Sequence, residues 1–380
     1  MHNDKTRVSR KAAPRRNAIV VELRRQIVTG LLQPGNRLPT RRALRAHFQS
    51  GVVTLQRALD RLKHEGFVST RSTAGTYVAS HPPHLSRYGL VFSSRPEGWH
   101  RWMRFWTVLS EQTEEIERIT PFRMPRYYME GSFKGEDYEL LLRDVGSDRL
   151  AGLILTFPSD FLKGTALLQP RRLPMVALAE VGQEGIPAVA HDHKAFVSEA
   201  LDYLASKGRR RIAVLKAGKL PNFEDNLIAG LAARGMVTHP WWSLLFSPMD
   251  TEGVRDIVHL LMHPGQDERP DGLIIADDNL VEGAVAGLVA ADVRIPGDAD
   301  VIAHANLPCP VKVPIPLKRL GYDIREELLA CTRLIDALRL GRPVPSKTLI
   351  APILGDWPHD AISEFSAPIS APTDLTSGRL

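Results

Sequence analysis

Between residues 88 and 355, short apolar runs alternate with segments of helical periodicity, and few folds accommodate such an alternation. The apolar runs lie at 88–92, 152–156, 175–179, 212–215, 272–276 and 300–304. The helical segments lie near 101–119, 193–207, 227–234, 251–262, 280–291 and 317–340. Strands that are apolar along their whole length are typical of parallel sheets covered on both faces by helices. This region is therefore predicted to be an α/β domain that binds ligands at the carboxyl ends of its strands.

The chain of 380 residues exceeds what one hydrophobic core usually supports, so more than one domain is expected. No apolar run approaches the ~20 residues of a membrane-spanning helix, and none follows the basic N-terminus as a signal peptide would require. Cys309 and Cys331 have no metal-binding or redox spacing. These observations favour a cytoplasmic protein without a cofactor, a metal or a membrane partner.

Positive charge is concentrated at the beginning of the chain. Residues 1–80 hold 16 Lys and Arg against 4 Asp and Glu, whereas the remainder holds 33 against 39. A basic segment attached to an acidic body suits a polyanionic partner, because each neutralised phosphate releases condensed counterions. The alternative is a basic face that is merely solvated.

Residues 16–80 contain three helical patterns followed by a hairpin pattern. The inward-facing residues of the helices are Ile19, Leu23 and Ile27, then Leu44 and Phe48, then Leu55, Leu59 and Leu62. Thr40 is placed to cap the second helix, and Gly66 ends the third before strand-prone segments at 67–71 and 76–79. This order describes a winged helix-turn-helix, whose third helix enters the major groove of DNA.

The stretch from Arg16 to Val78 resembles the GntR-type DNA-binding domain. The matching residues are Gln33-Pro34-Gly35-Asn36-Arg37-Leu38-Pro39-Thr40, Arg42, Leu44, Thr54, Ala58-Leu59, Leu62, Glu65-Gly66-Phe67-Val68 and Gly75-Thr76-Tyr77-Val78. The resemblance implies that Thr40, Arg42 and Thr54 bond phosphates. It places Gln56 and Arg57 on the third helix, where Gln can read adenine and Arg can read guanine.

Further expected DNA contacts are Arg41, Val52, Val53, Arg71, Thr73 and Gly75. Members of the family usually carry Ser-Arg-Thr where this chain has Gly51-Val52-Val53. An arginine that faces the groove is therefore missing, and an unusual operator is expected. Val52 or Val53 can instead touch a thymine methyl group.

The region from Tyr88 to Trp357 resembles the LacI/GalR-type effector domain, which shares its fold with periplasmic sugar-binding proteins. The matching residues are Asp192-His193, Ala200, Leu204, Lys207-Gly208-Arg209-Arg210-Arg211-Ile212-Ala213, Gly230-Leu231, Gly235, Pro270-Asp271-Gly272-Leu273, Asp278, Gly283, Ile295-Pro296-Gly297-Asp298 and Leu320-Gly321. GntR-type heads on such bodies occur in arabinose-repressor-like regulators. The resemblance implies two lobes that close on a ligand, and a C2 dimer in which this closure changes the spacing of the heads.

Position along the strands predicts several effector contacts, namely Ser93, Trp102, Trp106, Phe157 and Asp277. An aromatic ring can stack on a sugar face, and a carboxylate can accept hydrogen bonds from hydroxyls. The alternative for Trp102 and Trp106 is a buried helical stripe. Asp192 is expected to cap the following helix rather than to touch ligand.

Two positions depart from the sugar-binding pattern of this family. Phe223 stands where an arginine is usual, so it is expected to line the effector site in place of that arginine, and Ala305 stands where an aspartate is usual. Asn306 or Asp277 can substitute for the missing groups. We therefore expect an effector with fewer hydroxyl groups, or one that is bound mainly by stacking.

The predicted organisation is a disordered basic arm at 1–15, a winged-helix domain at 16–80, a linker at 81–86, a two-lobed effector-binding and dimerisation domain at 87–357 and a mobile tail at 358–380. The predicted function is that of a DNA-binding transcription regulator, acting as a repressor, whose affinity for its operator responds to a carbohydrate or a related metabolite. The alternative is a regulator without a ligand, whose large domain only dimerises. No phosphate loop, Gly-Xaa-Ser-Xaa-Gly elbow or zinc motif supports an enzyme, since His191-Asp192-His193 lacks a third ligand.

Overall fold

The computed structural model describes residues 5–355, apart from 72–74, 97–102, 130–132, 169–172, 183–184 and 219, with side chains from residue 15 onward. The chain divides into two compact units. Unit 1 comprises Met1–Trp102, Leu109–His191 and Arg325–Ile350; unit 2 comprises Met103–Val108, Asp192–Ile324 and Ala351–Leu380. The predicted DNA contact Thr73, the predicted effector contact Trp102 and the predicted tail at 358–380 lie outside the described residues.

The first part of unit 1, called the head below, contains the predicted three helices and hairpin at residues 16–80. Its elements are α1 (Lys5–Val28), α2 (Arg41–His47), α3 (Val52–His64), β1 (Val68–Arg71) and β2 (Gly75–Val78). The two strands are antiparallel, with Val68 opposite Val78. The predicted inward residues form one core, in which Leu62 is fully buried. In the structure α1 begins at Lys5, within the segment predicted to be a disordered arm.

The rest of unit 1, called the body of unit 1, is built on a six-stranded parallel sheet. Its elements are α4 (Pro83–Ser86), β3 (Tyr88–Phe92), α5 (Arg104–Ile119), β4 (Arg126–Tyr128), α6 (Glu136–Gly146), β5 (Gly152–Leu155), β6 (Met175–Leu178), β7 (Ala188–His191), α11 (Ile324–Arg339) and β13 (Lys347–Ile350). The strand order is β13-β7-β6-β5-β3-β4. The division between units falls within α5 after Val108 and within α11 after Ile324.

Unit 2 contains a second six-stranded sheet. Its elements are α7 (His193–Ser206), β8 (Ile212–Ala217), α8 (Phe223–Ala233), β9 (Ser243–Phe246), α9 (Thr251–Met262), β10 (Gly272–Ile275), α10 (Val281–Ala290), β11 (Asp300–Leu307), β12 (Lys318–Asp323) and β14 (Ile353–Gly355). The strand order is β14-β12-β11-β10-β8-β9, and every pair is parallel except β12 with β14. The predicted α/β class with parallel sheets is confirmed in both units.

Two predicted segments differ from the structure. Residues 317–340 were expected to form one helix, but β12 occupies the first part and α11 the second. Gly321 permits β12 to lie close to β11, because a Cβ there would lie 1.8 Å from the carbonyl oxygen of Ala305. The predicted linker at 81–86 is also largely packed, since α4 lies within it and Pro83, His84 and Ser86 are buried.

The structure also contains elements that the sequence pattern did not predict. These are β4, α6, β7, β9, β13 and β14. The strands among them have four residues or fewer, so their side chains show no clear period. No helix in the described part of the chain combines the length and apolarity that crossing a membrane requires.

Candidate DNA interface and candidate effector site

The amino end of α2 is exposed and cationic. The Thr40 hydroxyl accepts a hydrogen bond from the backbone N–H of Ala43 at 3.2 Å, which caps the helix as predicted. Arg41 and Arg42 lie in the first helical turn and are exposed. Among the described residues, neither guanidinium forms an ion pair. Both are therefore available to a phosphate.

Helix α3 has one buried side and one exposed side. Leu55, Ala58, Leu59 and Leu62 are buried in the core of the head. On the other side, Val52 and Val53 are 58% and 62% exposed at the first turn, beside the half-buried Thr54. Arg57 is exposed, and the Gln56 amide donates to the Asp60 carboxylate at 2.7 Å. The predicted contacts of this helix all lie outside the head's core.

Two cationic side chains lie at the hairpin, Arg71 on β1 and Arg37 from the segment between α1 and α2. Arg71 is exposed at the end of β1, with its guanidinium 4.8 Å from the centre of the Tyr77 ring. Gly75 begins β2 at a φ of +113°, a conformation that favours glycine. The exposed Arg37 lies against it, since a Cβ on Gly75 would be 3.1 Å from the Arg37 Nε. Arg37 is a candidate phosphate contact that the sequence analysis did not single out.

Each described carboxylate of the head, at Glu22, Asp60 and Glu65, accepts a hydrogen bond from a neighbouring side chain. Glu22 pairs with Arg25 at 2.8 Å, and hydrogen bonds from Arg25 and Gln26 lower its pKa to about 2. Glu65 pairs with Arg24 and Arg61. The exposed positive charges near α2 and α3 therefore face solvent with little neutralisation, as a phosphate-binding surface requires.

In unit 2, polar side chains gather after the carboxyl ends of β10 and β11. Asp277 accepts hydrogen bonds from the backbone and side-chain nitrogens of Asn279 at 2.9 and 2.7 Å. The Asn306 amide donates to the Asp278 carboxylate at 2.7 Å. The Arg104 guanidinium lies 3.5 Å from the same carboxylate. We call Arg104, Asp277, Asp278, Asn306 and Arg319 the polar cluster.

Three atoms of the polar cluster are buried without a hydrogen-bond partner among the described residues. They are the Nε of Arg104, which lies 3.5 Å from the Asp278 carboxylate, the Oδ1 acceptor of Asn306 and the Nη1 donor of Arg319. Arg319 is held in place by its other terminal nitrogen, which donates to the Val311 carbonyl at 2.6 Å. A buried polar atom without a partner is costly, so these atoms suit a ligand that carries both an acceptor and a donor.

Burial changes the acid–base properties of the polar cluster. It raises the pKa of Asp278 to about 7, with a further contribution from the charge of Asp277, against the opposing effect of Arg104. Burial also raises the pKa of Asp277 and lowers that of Arg319. Perturbed groups of this kind are typical of functional sites. Sequence reasoning predicted Asp277 and Asn306 as effector contacts but did not single out Arg104, Asp278 and Arg319, although the Asp277-Asp278 pair directly after a strand is a signal in the sequence.

In unit 1, hydroxyl groups follow the carboxyl ends of β3 and β5. Ser93 is half-buried directly after β3. Thr156 and Ser159 follow β5, are 6% and 1% exposed, and have side-chain oxygens without a hydrogen-bond partner among the described residues. Sequence reasoning predicted Ser93 but missed the other two, because single hydroxyl residues give no distinctive pattern.

Three predicted aromatic contacts are core residues in this structure. Phe157 is 5% exposed, and its ring centre lies 6.1 Å from those of Phe133 and Phe161. Phe223, at the start of α8, is 1% exposed, and Trp106 is 7% exposed. Large apolar rings gain most from burial, so each is explained by packing in its own unit. Asp192 caps α7 as predicted, accepting from the Ala195 N–H at 2.9 Å.

Residues 15–78 match the profile of a family described as bacterial regulatory proteins, gntR family. The chain is also 41% identical over 70 residues to RmpR, an HTH-type transcriptional regulator of Mycobacterium gastri. That similarity covers 18% of this chain and 26% of the relative, so the chain spans about a quarter of the relative's length. The head is therefore a GntR-type helix-turn-helix domain, and the predicted resemblance is confirmed for it.

Solved structures of LacI-family regulators share the fold of the remaining chain. A regulator from Arthrobacter sp. FB24 in complex with lactose has a TM-score of 0.56 at 17% identity, covering 71% of this chain and 98% of that one. A regulator from Chloroflexus aggregans has a TM-score of 0.56 at 19% identity, covering 70% and 96%. A regulator from a Rhodococcus species has a TM-score of 0.55 at 20% identity, with the same coverage. The predicted LacI-type fold is confirmed.

Proposed function

We propose that this protein is a transcription regulator that binds operator DNA through its GntR-type head and a small effector through its LacI-type body. The observation that carries the proposal is the surface of the head. Arginines without ion pairs among the described residues flank a helix whose outer side is exposed and whose inner side is core. Because such a regulator acts on DNA, we place it in the cytoplasm.

DNA recognition follows from two kinds of contact. Arg42 and Thr40 bind phosphates at the amino end of α2. Arg71 and Gly75 bring the hairpin into contact with the sugar-phosphate backbone of the DNA. Val52, Val53, Gln56 and Arg57 face the bases. Two valine side chains have no hydrogen-bonding groups, so we propose that this end of α3 contacts thymine methyl groups.

Effector binding is proposed at the polar cluster of unit 2. The unpartnered Asn306 acceptor and Arg319 donor suit a ligand with adjacent hydroxyl or carbonyl groups, such as a sugar or a related metabolite. One fold relative was solved with lactose, which makes disaccharides reasonable members of a screen. We propose that the body also dimerises, so that two heads bind a pseudo-palindromic operator.

The proposal is tested with DNA fragments that border the coding region and with a panel of sugars and sugar acids. We expect salt-sensitive binding to one fragment over unrelated DNA, and a compound that changes both the melting temperature and this binding. Asn306→Ala should abolish the response to the compound while operator affinity is retained. Absence of any preferred duplex would refute the DNA-binding assignment, whereas a response unaffected by Asn306→Ala would refute the effector site.

A further inference from the structure

The carboxylate of Glu65, directly after the DNA-reading helix α3, is surrounded by three arginines. It binds Arg24 of α1 at 2.5 Å, Arg61 of α3 at 2.8 Å and Arg149 at 2.5 Å. Its side chain is 2% exposed. Burial alone would raise the pKa of Glu65, but the hydrogen bonds from the arginines outweigh burial and lower it. The group is therefore a buried carboxylate ion.

Arg149 lies in the body of unit 1, between α6 and β5, and continues the connection inward. Its guanidinium binds the Asp144 carboxylate of α6 at 3.1 Å. Asp144 is 2% exposed and accepts from the Tyr127 hydroxyl on β4 at 2.7 Å. A chain of charge-assisted hydrogen bonds thus runs from the sheet of unit 1 to the end of α3.

Apolar contacts accompany this polar bridge. The ring of His84 on α4 stacks on Phe67 of the head, with ring centres 6.0 Å apart. A Cβ on Gly66 would lie 3.4 Å from the Pro83 ring. These contacts are flanked by two open cavities of about 640 and 650 Å³, the first lined in part by Val28 and His84 and the second by Glu65. The junction is consequently not one continuous core.

Each end of the bridge keeps a partner when the two parts separate. Without Arg149, Glu65 still pairs with Arg24 and Arg61 inside the head. Without Glu65, Arg149 still pairs with Asp144. Losing one partner of a buried ion pair is usually costly because the other charge is left isolated. Separation of the head from the body leaves no such isolated charge.

The docked head leaves the opposite end of α3 accessible. Val52 begins the helix and Glu65 follows it, so the two ends are ~18 Å apart at the usual rise per residue. A head held at its carboxyl end can still present Val52 and Val53 to a groove.

We propose that Arg149 and Glu65 are positioning residues that hold α3 in a defined orientation on the body of unit 1. Any movement of the segment between α6 and β5 is then passed to the DNA-reading helix through this bridge, not through a loose linker. This inference deepens the proposed function, on which its consequence for operator binding rests. The existence of the bridge itself does not depend on DNA.

The first experiment measures hydrogen exchange in the full chain, without DNA, by mass spectrometry. Arg149→Ala should speed exchange about tenfold in peptides covering 79–87, because the junction in which α4 packs on the head loses its polar bridge. Arg143→Ala, which removes an exposed arginine from α6, is the matched control and should have no effect. Peptides covering β3 should stay protected in both variants. Unchanged exchange at 79–87 in a folded Arg149→Ala protein would overturn the inference.

Arg149→Lys provides a second variant should the alanine protein fail to fold. Lysine keeps the positive charge beside Asp144, but it lacks the planar guanidinium whose separate nitrogens donate to Asp144 and to Glu65. We expect its exchange rate at 79–87 to lie between the rates of wild type and of Arg149→Ala. Exchange identical to wild type in Arg149→Lys would likewise overturn the positioning role.

The second experiment uses the preferred duplex and a version with one base pair inserted between its half-sites. Wild-type affinity should fall about tenfold on insertion, because fixed heads cannot follow the new spacing. In Arg149→Ala the fall should shrink to about threefold or less, whereas Arg143→Ala should behave as wild type. An equal fall in all three proteins contradicts the inference. If no duplex is bound at all, the proposed function fails, while the exchange experiment still decides the bridge.

Discussion

Asp278 makes the stability of unit 2 depend on pH in a direction that can be worked out. Its pKa is raised from 3.8 to about 7, mainly by burial. Between these values the folded protein carries a neutral carboxyl and the unfolded chain an ionised one. Unfolding therefore releases a proton, and the free energy of unfolding falls by about 1.36 kcal/mol for each pH unit of increase. The stabilisation is complete at low pH and is lost as pH rises through 7.

We expect Asp278→Asn to remove this dependence. From pH 5.5 to 8 the loss in wild type amounts to about 2 kcal/mol, and it levels off at higher pH. Asp278 is 3% exposed, so solvent screening does not reduce this figure. The assay is urea unfolding at pH 5.5 and pH 8, followed by tryptophan fluorescence, to which Trp242, 2% exposed in unit 2, contributes. Between these two pH values, the free energy of unfolding of the variant should change by about 2 kcal/mol less than that of wild type.

Other groups titrate in the same range but do so equally in both proteins. Burial lowers the pKa of His84 to about 4, so that histidine destabilises the fold as pH falls below its ordinary value. Asp277, Arg104 and Arg319 face Asp278 and remain in the variant. Asp225→Asn makes the same chemical change at an exposed site of α8 and should match wild type. If Asp278→Asn retained the full pH dependence of wild type, Asp278 would be ionised in the folded state and the reasoning would be refuted.

Three further predictions concern the head and the packing of β12. Arg42→Ala should weaken binding to all duplexes alike and reduce the salt slope by about one, which titration of affinity against salt would detect; an unchanged slope means no phosphate contact. Replacing thymine by deoxyuridine in the preferred operator should weaken wild type but not a Val52→Ser, Val53→Ser double variant, as measured by fluorescence anisotropy; equal weakening of both excludes methyl contacts by these valines. Gly321→Ala should destabilise unit 2 by more than about 3 kcal/mol, because its Cβ would collide with Ala305, and a melting temperature close to wild type would contradict that packing.

The head was predictable from sequence to an unusual degree. Its helices carry apolar residues at clear helical spacing, and local signals such as the Thr40 cap and Gly66 mark their ends. These interactions lie within a few residues of each other, so the pattern contains them. The exposed side of α3 follows directly, since residues that are not in its buried stripe must face outward.

For the effector region, the sequence predicted the fold class but not most of the residues that converge at the candidate site. Alternating apolar runs identified most long strands, and strand ends identified Asp277 and Asn306. Arg104, Asp278 and Arg319 converge there only because separate elements of unit 2 come together. Phe157 and Phe223 were expected to touch ligand, yet packing within their own units buries them.

The order of residues along the chain was sufficient to predict a basic winged-helix head, parallel sheets and the exposed side of α3, because periodicity and capping depend on near neighbours. Only the tertiary structure revealed that residues 318–323 form a strand, that the segment after the head is packed and that Arg149 meets Glu65. These features depend on contacts between residues far apart in sequence. Their partners, and the burial that sets the pKa values of Asp278 and Glu65, exist only once the chain has folded.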